Sequence, residues 1–460
     1  MFYGRKKELQ LLKDNYDSNE FKMIVLYGRR RVGKSFLLQH FFDSIKTKII
    51  AFQAIENSGE LSIEAFKDAI LDVYPTDLDI NFTKWKSCFS YINQNINEDK
   101  LIICIDEINY IFKSDNTFAS QLQDEIDNFL KYKNVLFIVC GSSISSIENE
   151  ILNSNSPLYG RRNLSIKLEE FNYKEAAEFY ENYSSQDKVI AYSVFGGKGK
   201  SLAAINPKIS IKDNIIQQIL TPGGALADEI DLLLKDDFRD PNFYKELLYI
   251  MSLGNTTFND IYTKCNVESG KVAIYLNKLL ESKIIDKVQV LTNRNKKDFR
   301  YFINDNFFSF YFKFVYKRKN ILNILITPEV FYNRFIKDDL YSYVGVKFES
   351  ICEQYLINKS INGLLDFIPL EYGKYYGKNK NGNTFDIDIV FKDKEKAICG
   401  ECKFTNDSFT MSDMNELITN SKELKIGNIE YYVFYKTEID KSVIEKNPSI
   451  FCISKDKLYE

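Results

Sequence analysis

A parallel-sheet α/β architecture is the fold class this sequence predicts, and three observations carry the prediction. Short apolar runs at 23–27 (MIVLY), 48–55, 101–106 (LIICID), 134–141 and 164–168 read as buried strands. Segments with helical apolar spacing lie between them, and strands alternating with helices give a mostly parallel sheet with helices on both faces. The first run meets a glycine loop and passes straight into the helical stretch VGKSFLLQHFFDSI.

The remaining elements follow in order. From about 170 to 235 the pattern is helical, interrupted by FGGKGKS at 195–201. Between 243 and 303, three helical segments with short turns precede two strand-like pieces, DKVQVLT and DFRYFIND, joined by the basic loop NRNKK. Three helices and a basic hairpin predict a winged helix-turn-helix. An aromatic segment, NFFSFYFKFVYKRKN, comes next. The last region opens on the helix YVGVKFESICEQYLINK, continues with strands at FIPLEYGKYY, TFDIDIVFKD and KAICGECKF, and ends with a helix and two more strands. The expected division is 1–168, the parallel-sheet domain with the glycine loop; 169–238, a helical lid; 239–320, a winged helix; and 321–460, a C-terminal α/β domain. That count agrees with 460 residues at roughly 100–200 per domain.

Bulk composition narrows the class. With 61 basic and 64 acidic residues the net charge is −3, which argues against a uniformly basic nucleic-acid binder but leaves room for local basic faces. Eight scattered cysteines, several inside apolar runs, read as buried thiols in a reducing compartment. Cys399 and Cys402 form a lone CxxC, and His40 is the single histidine, so a zinc ribbon is not expected. The charged opening MFYGRKKELQ and the lack of an 18-residue apolar run predict a cytoplasmic protein without membrane spans.

LYGRRRVGKS, at 26–35, fits G-x-x-x-x-G-K-[ST] at every specified place. Glycines let the backbone curl so that consecutive N–H groups face phosphate oxygens, and the helix N-terminus adds partial positive charge. Lys34 is the mobile cation for the β- and γ-phosphates, and the Ser35 hydroxyl reaches Mg²⁺. The predicted nucleotide-binding set is Gly28, Arg31, Val32, Gly33, Lys34, Ser35 and Phe36. The arginines at 29–31 serve phosphate through their backbone, so at least one side chain is expected to be structural or to face a partner. LIICIDE supplies the second element: Asp106 is expected to hold Mg²⁺ through water, and Glu107 to polarise the attacking water.

Two further positions carry alternatives. Ser142 and Ser143 follow the fourth strand, where a polar group senses the γ-phosphate or where GSSISS starts a helix. Arg161 and Arg162 are either an arginine finger, in cis or from a neighbouring copy, or a surface basic pair.

The last region holds a set of carboxylates. Asp386 and Asp388 share one strand face, and Glu401 and Lys403 share a face of the next strand, because strand faces alternate. Glu349 lies on the preceding helix. Carboxylates with a nearby lysine are what metal-dependent phosphodiester hydrolysis requires, which makes Asp388, Glu401 and Lys403 candidate catalytic residues and Glu349, Asp388 and Glu401 candidate ligands for Mg²⁺ or Mn²⁺.

Taken with these motifs, the whole chain resembles a widespread family of archaeal and bacterial P-loop ATPases of the AAA/STAND group, whose C-terminal domain looks like the restriction-endonuclease fold with a D…ExK site. The residues that carry the resemblance are FYGRKKELQLL, VLYGRRRVGKS, PLYGRR, FFSFYFKFVY, FDIDIV and GECKF. It spans essentially the full length, and the phosphate loop and GECK are its specific parts. The resemblance implies strand order 5-1-4-3-2, a helical lid and then a winged helix. It implies that Gly4 and Arg5 line the adenine side, that Asp388, Glu401 and Lys403 match the nuclease triad, and that Glu349 is the helix acid. The chain departs from the family pattern at the lid, where GGKGKSLAAI lacks the usual Pro and Tyr, and at Asp386, where Glu is more frequent.

Two functions compete on these grounds. One is an ATP-controlled nuclease in which NRNKK (293–297), KRKN (317–320) and GKYYGKNKNG (373–382) meet DNA phosphates. The other is an ATP-dependent switch that binds DNA or protein without cutting. Expected partners are ATP and DNA, with no membrane; a finger arginine donated from a neighbour would imply a homo-oligomer.

Overall fold

The computed structural model describes residues 2–460 apart from 57, 78–79, 81, 97–98, 293–297 and 379–381. The basic loop 293–297 and the centre of the 373–382 segment therefore lie outside the described residues. The chain forms two compact units, Met1–Glu170 with Lys198–Lys200, and Phe171–Gly197 with Ser201–Glu460.

The first unit is a five-stranded parallel sheet. Its strands are β1 (Lys22–Tyr27), β2 (Lys48–Gln53), β3 (Leu101–Asp106), β4 (Val135–Gly141) and β5 (Leu164–Lys167), in the order β2-β3-β4-β1-β5. All its pairings are parallel. The five strands lie on the five apolar runs, and their order is the one the family resemblance implies. Alternation explains why the runs are apolar throughout. Met23, Val25 and Tyr27 enter one core, while Ile24 and Leu26 enter another. β3 and β4 divide their side chains in the same way, so both sheet faces are covered and the three central strands β1, β3 and β4 need apolar residues at nearly every position, while the edge strands β2 and β5 are only partly buried. The helix Lys34–Asp43 follows β1 after the loop, with Leu37, Leu38 and Phe41 buried.

The second unit begins with helical segments that pack in one apolar core with the aromatic stretch at 306–318 and the helix Leu340–Ile361. Within it the helices Pro241–Ser252, Phe258–Cys265 and Ser269–Glu281 precede β6 (Ile285–Gln289), β7 (Leu291–Thr292) and β8 (Phe299–Ile303). β6 and β8 pair antiparallel. β7 leaves that pair and joins the C-terminal sheet. That sheet contains β9 (Glu371–Lys378), β10 (Thr384–Lys392), β11 (Lys396–Lys403), β12 (Asn428–Tyr435) and β13 (Phe451–Ser454), in the order β13-β12-β11-β10-β9-β7. It is mixed: β9, β10 and β11 run antiparallel in turn, and β12 and β13 add in parallel.

The aromatic stretch is buried on nearly every side, from Phe307 to Val315. Part of it, Tyr311–Val315, winds as a π-helical turn. Cys399 and Cys402 stand three apart on β11 and so face opposite sides; each packs in a different apolar cluster, which rules the pair out as a chelating CxxC. No helix among the described residues is long and apolar enough to cross a membrane.

Candidate functional site

The sheet of the first unit delivers three strand ends to one edge. β1 is followed by Gly28, whose φ of 155° and closeness to Leu168 leave no room for a side chain: a Cβ there would lie 2.3 Å from the Leu168 carbonyl oxygen. The loop closes at Gly33 (φ 100°), which caps the helix Lys34–Asp43. Lys34 is only 6% exposed, and its ammonium donates to the carbonyls of Gly28 (3.0 Å) and Arg29 (3.1 Å). The cation is thus held over the loop by the loop's own backbone. Val32 is buried beneath it and Phe36, at 59% exposure, faces out.

From β3, Asp106 accepts a hydrogen bond from the Ser35 hydroxyl at 2.8 Å. Its other oxygen takes the backbone N–H of Glu107 at 2.8 Å. Glu107 has a φ of 53°, a left-handed conformation that costs a non-glycine residue about 1–2 kcal/mol. Its Oε2 accepts from the Ser142 hydroxyl at 2.6 Å and from the Ser142 N–H at 3.3 Å. The same N–H reaches Oδ1 of Asn109, a buried residue, at 3.2 Å. Ser35, Asp106, Glu107 and Ser142 therefore form one connected chain of hydrogen bonds across the ends of β1, β3 and β4. Ser143 does what a helix start does: its hydroxyl accepts from the Ser146 N–H. Asn109 carries no sequence signal of its own, because only the fold brings it under Ser142.

The arginines around the loop divide their work. Arg29 pairs with Glu170 at 2.9 Å, and Arg30 donates to the Tyr110 hydroxyl at 3.3 Å. Arg31 takes a φ of 70°. Arg5, buried, donates to the Glu169 carbonyl at 2.6 Å and the Val32 carbonyl at 3.2 Å, which ties the N-terminal segment next to Gly4 to the loop. Phe2 stacks on His40 with ring centroids 4.0 Å apart. Arg161 is engaged by Asp127 (Nη2 to Oδ2, 2.8 Å), and Arg162 donates to the Ser165 hydroxyl at 3.1 Å. Of the FGGKGKS stretch, Lys198–Lys200 belong to this unit, and the Lys200 N–H points to the Arg31 carbonyl at 3.4 Å. Burial, reinforced by the Arg31 charge, lowers the Lys200 ammonium below its ordinary value.

Mg²⁺ prefers hard oxygen ligands and keeps several waters. The Ser35 hydroxyl and the Asp106 carboxylate, hydrogen-bonded to each other at an open strand end, are donors of that kind.

In the second unit, Glu349 comes from the helix Leu340–Ile361, Asp386 and Asp388 from β10, and Glu401 from β11. Register explains their meeting. Ile389 pairs with Gly400, so Asp388 and Glu401 are at the adjacent step. Asp388 accepts the Cys402 N–H at 3.0 Å. What the sequence reasoning missed is Lys374, on β9. The pairing jumps from Ile387–Tyr375 to Val390–Gly373, so two residues of β10, Asp388 and Ile389, oppose the single Lys374. This β-bulge, with Gly373 at a φ of 138°, aims the lysine into the carboxylates. Its ammonium lies 2.9 Å from Glu349, 3.0 Å from Asp386 and 3.0 Å from Asp388. Lys403, by contrast, donates to Asp413 at 2.7 Å. Asp413 caps the helix Met411–Ser421 together with Thr410.

The electrostatics follow from this crowding. Burial and the charge of Asp388 push the Glu349 carboxyl up to about 7, against the pull of Lys374. Burial, with Asp388 and Asp386 nearby, pushes Glu401 up to about 9. Burial alone would lower the Lys374 ammonium, but Asp388 and Glu349 raise it well above its ordinary value. Among the described residues, no group of three or more His, Cys, Asp or Glu side chains is arranged to hold a metal ion. Divalent ligation as expected from Glu349, Asp388 and Glu401 does not fit the cluster as it stands: an ammonium sits where the carboxylates converge.

Residues 2–205 match the model of an ATPase domain predominantly from Archaea, and residues 311–423 match that of archaeal and bacterial proteins of unknown function. An uncharacterized protein of Methanocaldococcus jannaschii is 29% identical over 437 residues, 94% of each chain. An uncharacterized ATP-binding protein of the same organism is 46% identical over 48 residues, which are 10% of this chain and 81% of that one. Among solved structures, a Walker-type ATPase of Pyrococcus abyssi is similar at 17% identity and a TM-score of 0.49, covering 70% of this chain and 96% of that one. The ORC2 protein of Aeropyrum pernix is similar at 11% identity and a TM-score of 0.46, covering 69% and 94%. Residues 2–205, which carry the phosphate loop and the acidic strand end, are thus similar to an ATPase domain predominantly from Archaea, and residues 311–423 to archaeal and bacterial proteins of unknown function.

Proposed function

We propose that this chain hydrolyses ATP and uses the nucleotide state to govern a DNA-directed second unit. The observation that carries the first part is the hydrogen-bonded chain Ser35–Asp106–Glu107–Ser142. Backbone N–H groups of 28–33 cradle the phosphates, and Lys34 moves from the Gly28 and Arg29 carbonyls to the β- and γ-oxygens. Ser35 and Asp106 hold Mg²⁺, which neutralises phosphate charge when bound. Glu107 orients the attacking water and takes its proton, with Ser142 reporting the γ-phosphate to it. Arg31, Val32 and Phe36 complete the nucleotide contacts, Gly4 and Arg5 the adenine side, and Arg161 serves as a finger once released from Asp127.

In the second unit, the three helices with the β6–β8 pair support a winged helix. The helix Leu340–Ile361 with the mixed sheet supports a restriction-endonuclease-like domain, with Asp388, Glu401 and Lys403 as its triad. Metal-dependent cleavage of DNA, which requires Lys374 to leave the carboxylates, is one reading of that domain. A switch that binds DNA or protein without cutting is the second, and the placement of Lys374 among the carboxylates favours it. A paired assay tests both: ATP turnover, and cleavage of a DNA panel with Mg²⁺ or Mn²⁺, for wild type, Lys34→Ala and Lys403→Ala. Cutting lost in Lys403→Ala supports the nuclease. Cutting that survives that change removes the assignment, and ATP turnover with DNA bound but never cut supports the switch.

A further inference from the structure

Lys374 donates hydrogen bonds to Glu349 and Asp388 and forms an ion pair with Asp386 at 3.0 Å, so one ammonium is held by three carboxylates from two different elements. The arrangement is built into the backbone: the bulge at Gly373 and Asp388 fixes where the lysine points, and β9 is held from its other edge by β7. The next outward residue on the same face, Tyr376, is covered by the Arg300 guanidinium at 3.7 Å from its ring centroid. A divalent Mg²⁺ takes oxygen ligands at about 2.0–2.1 Å and cannot share this centre with an ammonium.

We propose that Lys374 is an internal counter-ion that occupies the point where Glu349, Asp386 and Asp388 converge, closing the cluster to divalent cations until the lysine is displaced. The inference rests on reading these carboxylates as a cation site and adds its regulation: the site opens only when β9 or the lysine side chain moves away.

The test is Mn²⁺ binding by the nucleotide-free full-length chain, counted by electron paramagnetic resonance. Any ion held near Ser35 and Asp106 contributes equally to every variant. Asp388→Asn in an otherwise native background should leave Mn²⁺ binding unchanged. Lys374→Met should bind one Mn²⁺ at the carboxylates about tenfold or more tighter than the native chain does there, and the double variant Lys374→Met/Asp388→Asn should lose it. Native protein that holds an Mn²⁺ removed by Asp388→Asn overturns the inference, and so does a folded Lys374→Met that gains none. If Lys374→Met does not fold, the native and Asp388→Asn comparison decides alone. DNA cleavage measured in parallel separates this inference from the nuclease reading. Mn²⁺ gained by Lys374→Met without cutting supports the counter-ion and removes the nuclease. Native cutting in Mn²⁺, abolished by Asp388→Asn together with the bound ion, removes the counter-ion and keeps the nuclease.

Discussion

Replacing Gly28 by alanine should damage the ATPase unit far more than replacing Gly33, although both glycines belong to one motif. At Gly28 the new Cβ would stand 2.3 Å from the Leu168 carbonyl oxygen and 3.2 Å from its carbonyl carbon. Ordinary contact begins near 3.4 Å, so the loop and the end of β5 must separate by about 1 Å. That movement is opposed on both sides: the Leu168 N–H is bonded to the Tyr27 carbonyl at 2.7 Å, and the Gly28 N–H points to the Gly141 carbonyl at 3.4 Å. Overpacking of this kind costs about 1–3 kcal/mol and the positive φ about 1–2 more, so a loss of roughly 2–5 kcal/mol is expected. At Gly33 the space is open, nothing lying within 4 Å, and only the conformational cost of about 1–2 kcal/mol remains. Hydrogen exchange of the β1 and β5 amides, read beside thermal unfolding, measures both. Equal losses in the two variants, or a neutral Gly28→Ala, would refute the steric account of the loop.

Other expectations concern the second unit. Glu349 and Glu401 keep their protons to about 7 and about 9 when folded but ionise near 4.5 in the unfolded chain, so their contribution to stability is full below pH 4.5 and is lost as pH rises through those folded values. Without divalent cations the melting temperature should therefore fall between about pH 4.5 and 9, and Glu401→Gln should flatten the upper part of that fall; an unchanged slope contradicts the assignment. Asp231 accepts from Lys319 at 2.5 Å, from Lys245 and from the Tyr311 hydroxyl at 3.2 Å. Asp231→Ala leaves two half-buried ammonium groups without it and should cost roughly 2 kcal/mol, less than the 3–5 typical of a fully buried pair, in calorimetric unfolding.

How far the sequence could be read depended on where each residue finds its neighbours. β1, β3 and β4 were legible because both of their faces are covered, which forces apolar runs, and the edge strands β2 and β5 because shorter apolar stretches mark them. The phosphate loop was legible because its spacing is local, and Asp106 and Glu107 because they end such a run. Asn109 and Lys374 were not, since one acts on the end of the neighbouring strand β4, more than thirty residues on in the chain, and the other through a bulge that no alternation pattern marks. Lys403 illustrates the converse. It shares a strand face with Glu401, as period-two reasoning requires, yet its ammonium goes to Asp413, a capping residue on a later helix. The piece read as DKVQVLT divides between two sheets, because β7 pairs with β9 and not with β8.

The most direct test of the central claim is nucleotide handling by Glu107→Gln. The substitution keeps the side chain's shape and its acceptor oxygen for Ser142 but removes the carboxylate that takes the proton from water. ATP affinity, measured with a fluorescent analogue, should stay near that of the native chain while steady-state turnover falls by about 10²-fold or more. Undiminished turnover in Glu107→Gln, or native protein that binds no ATP, would contradict the account.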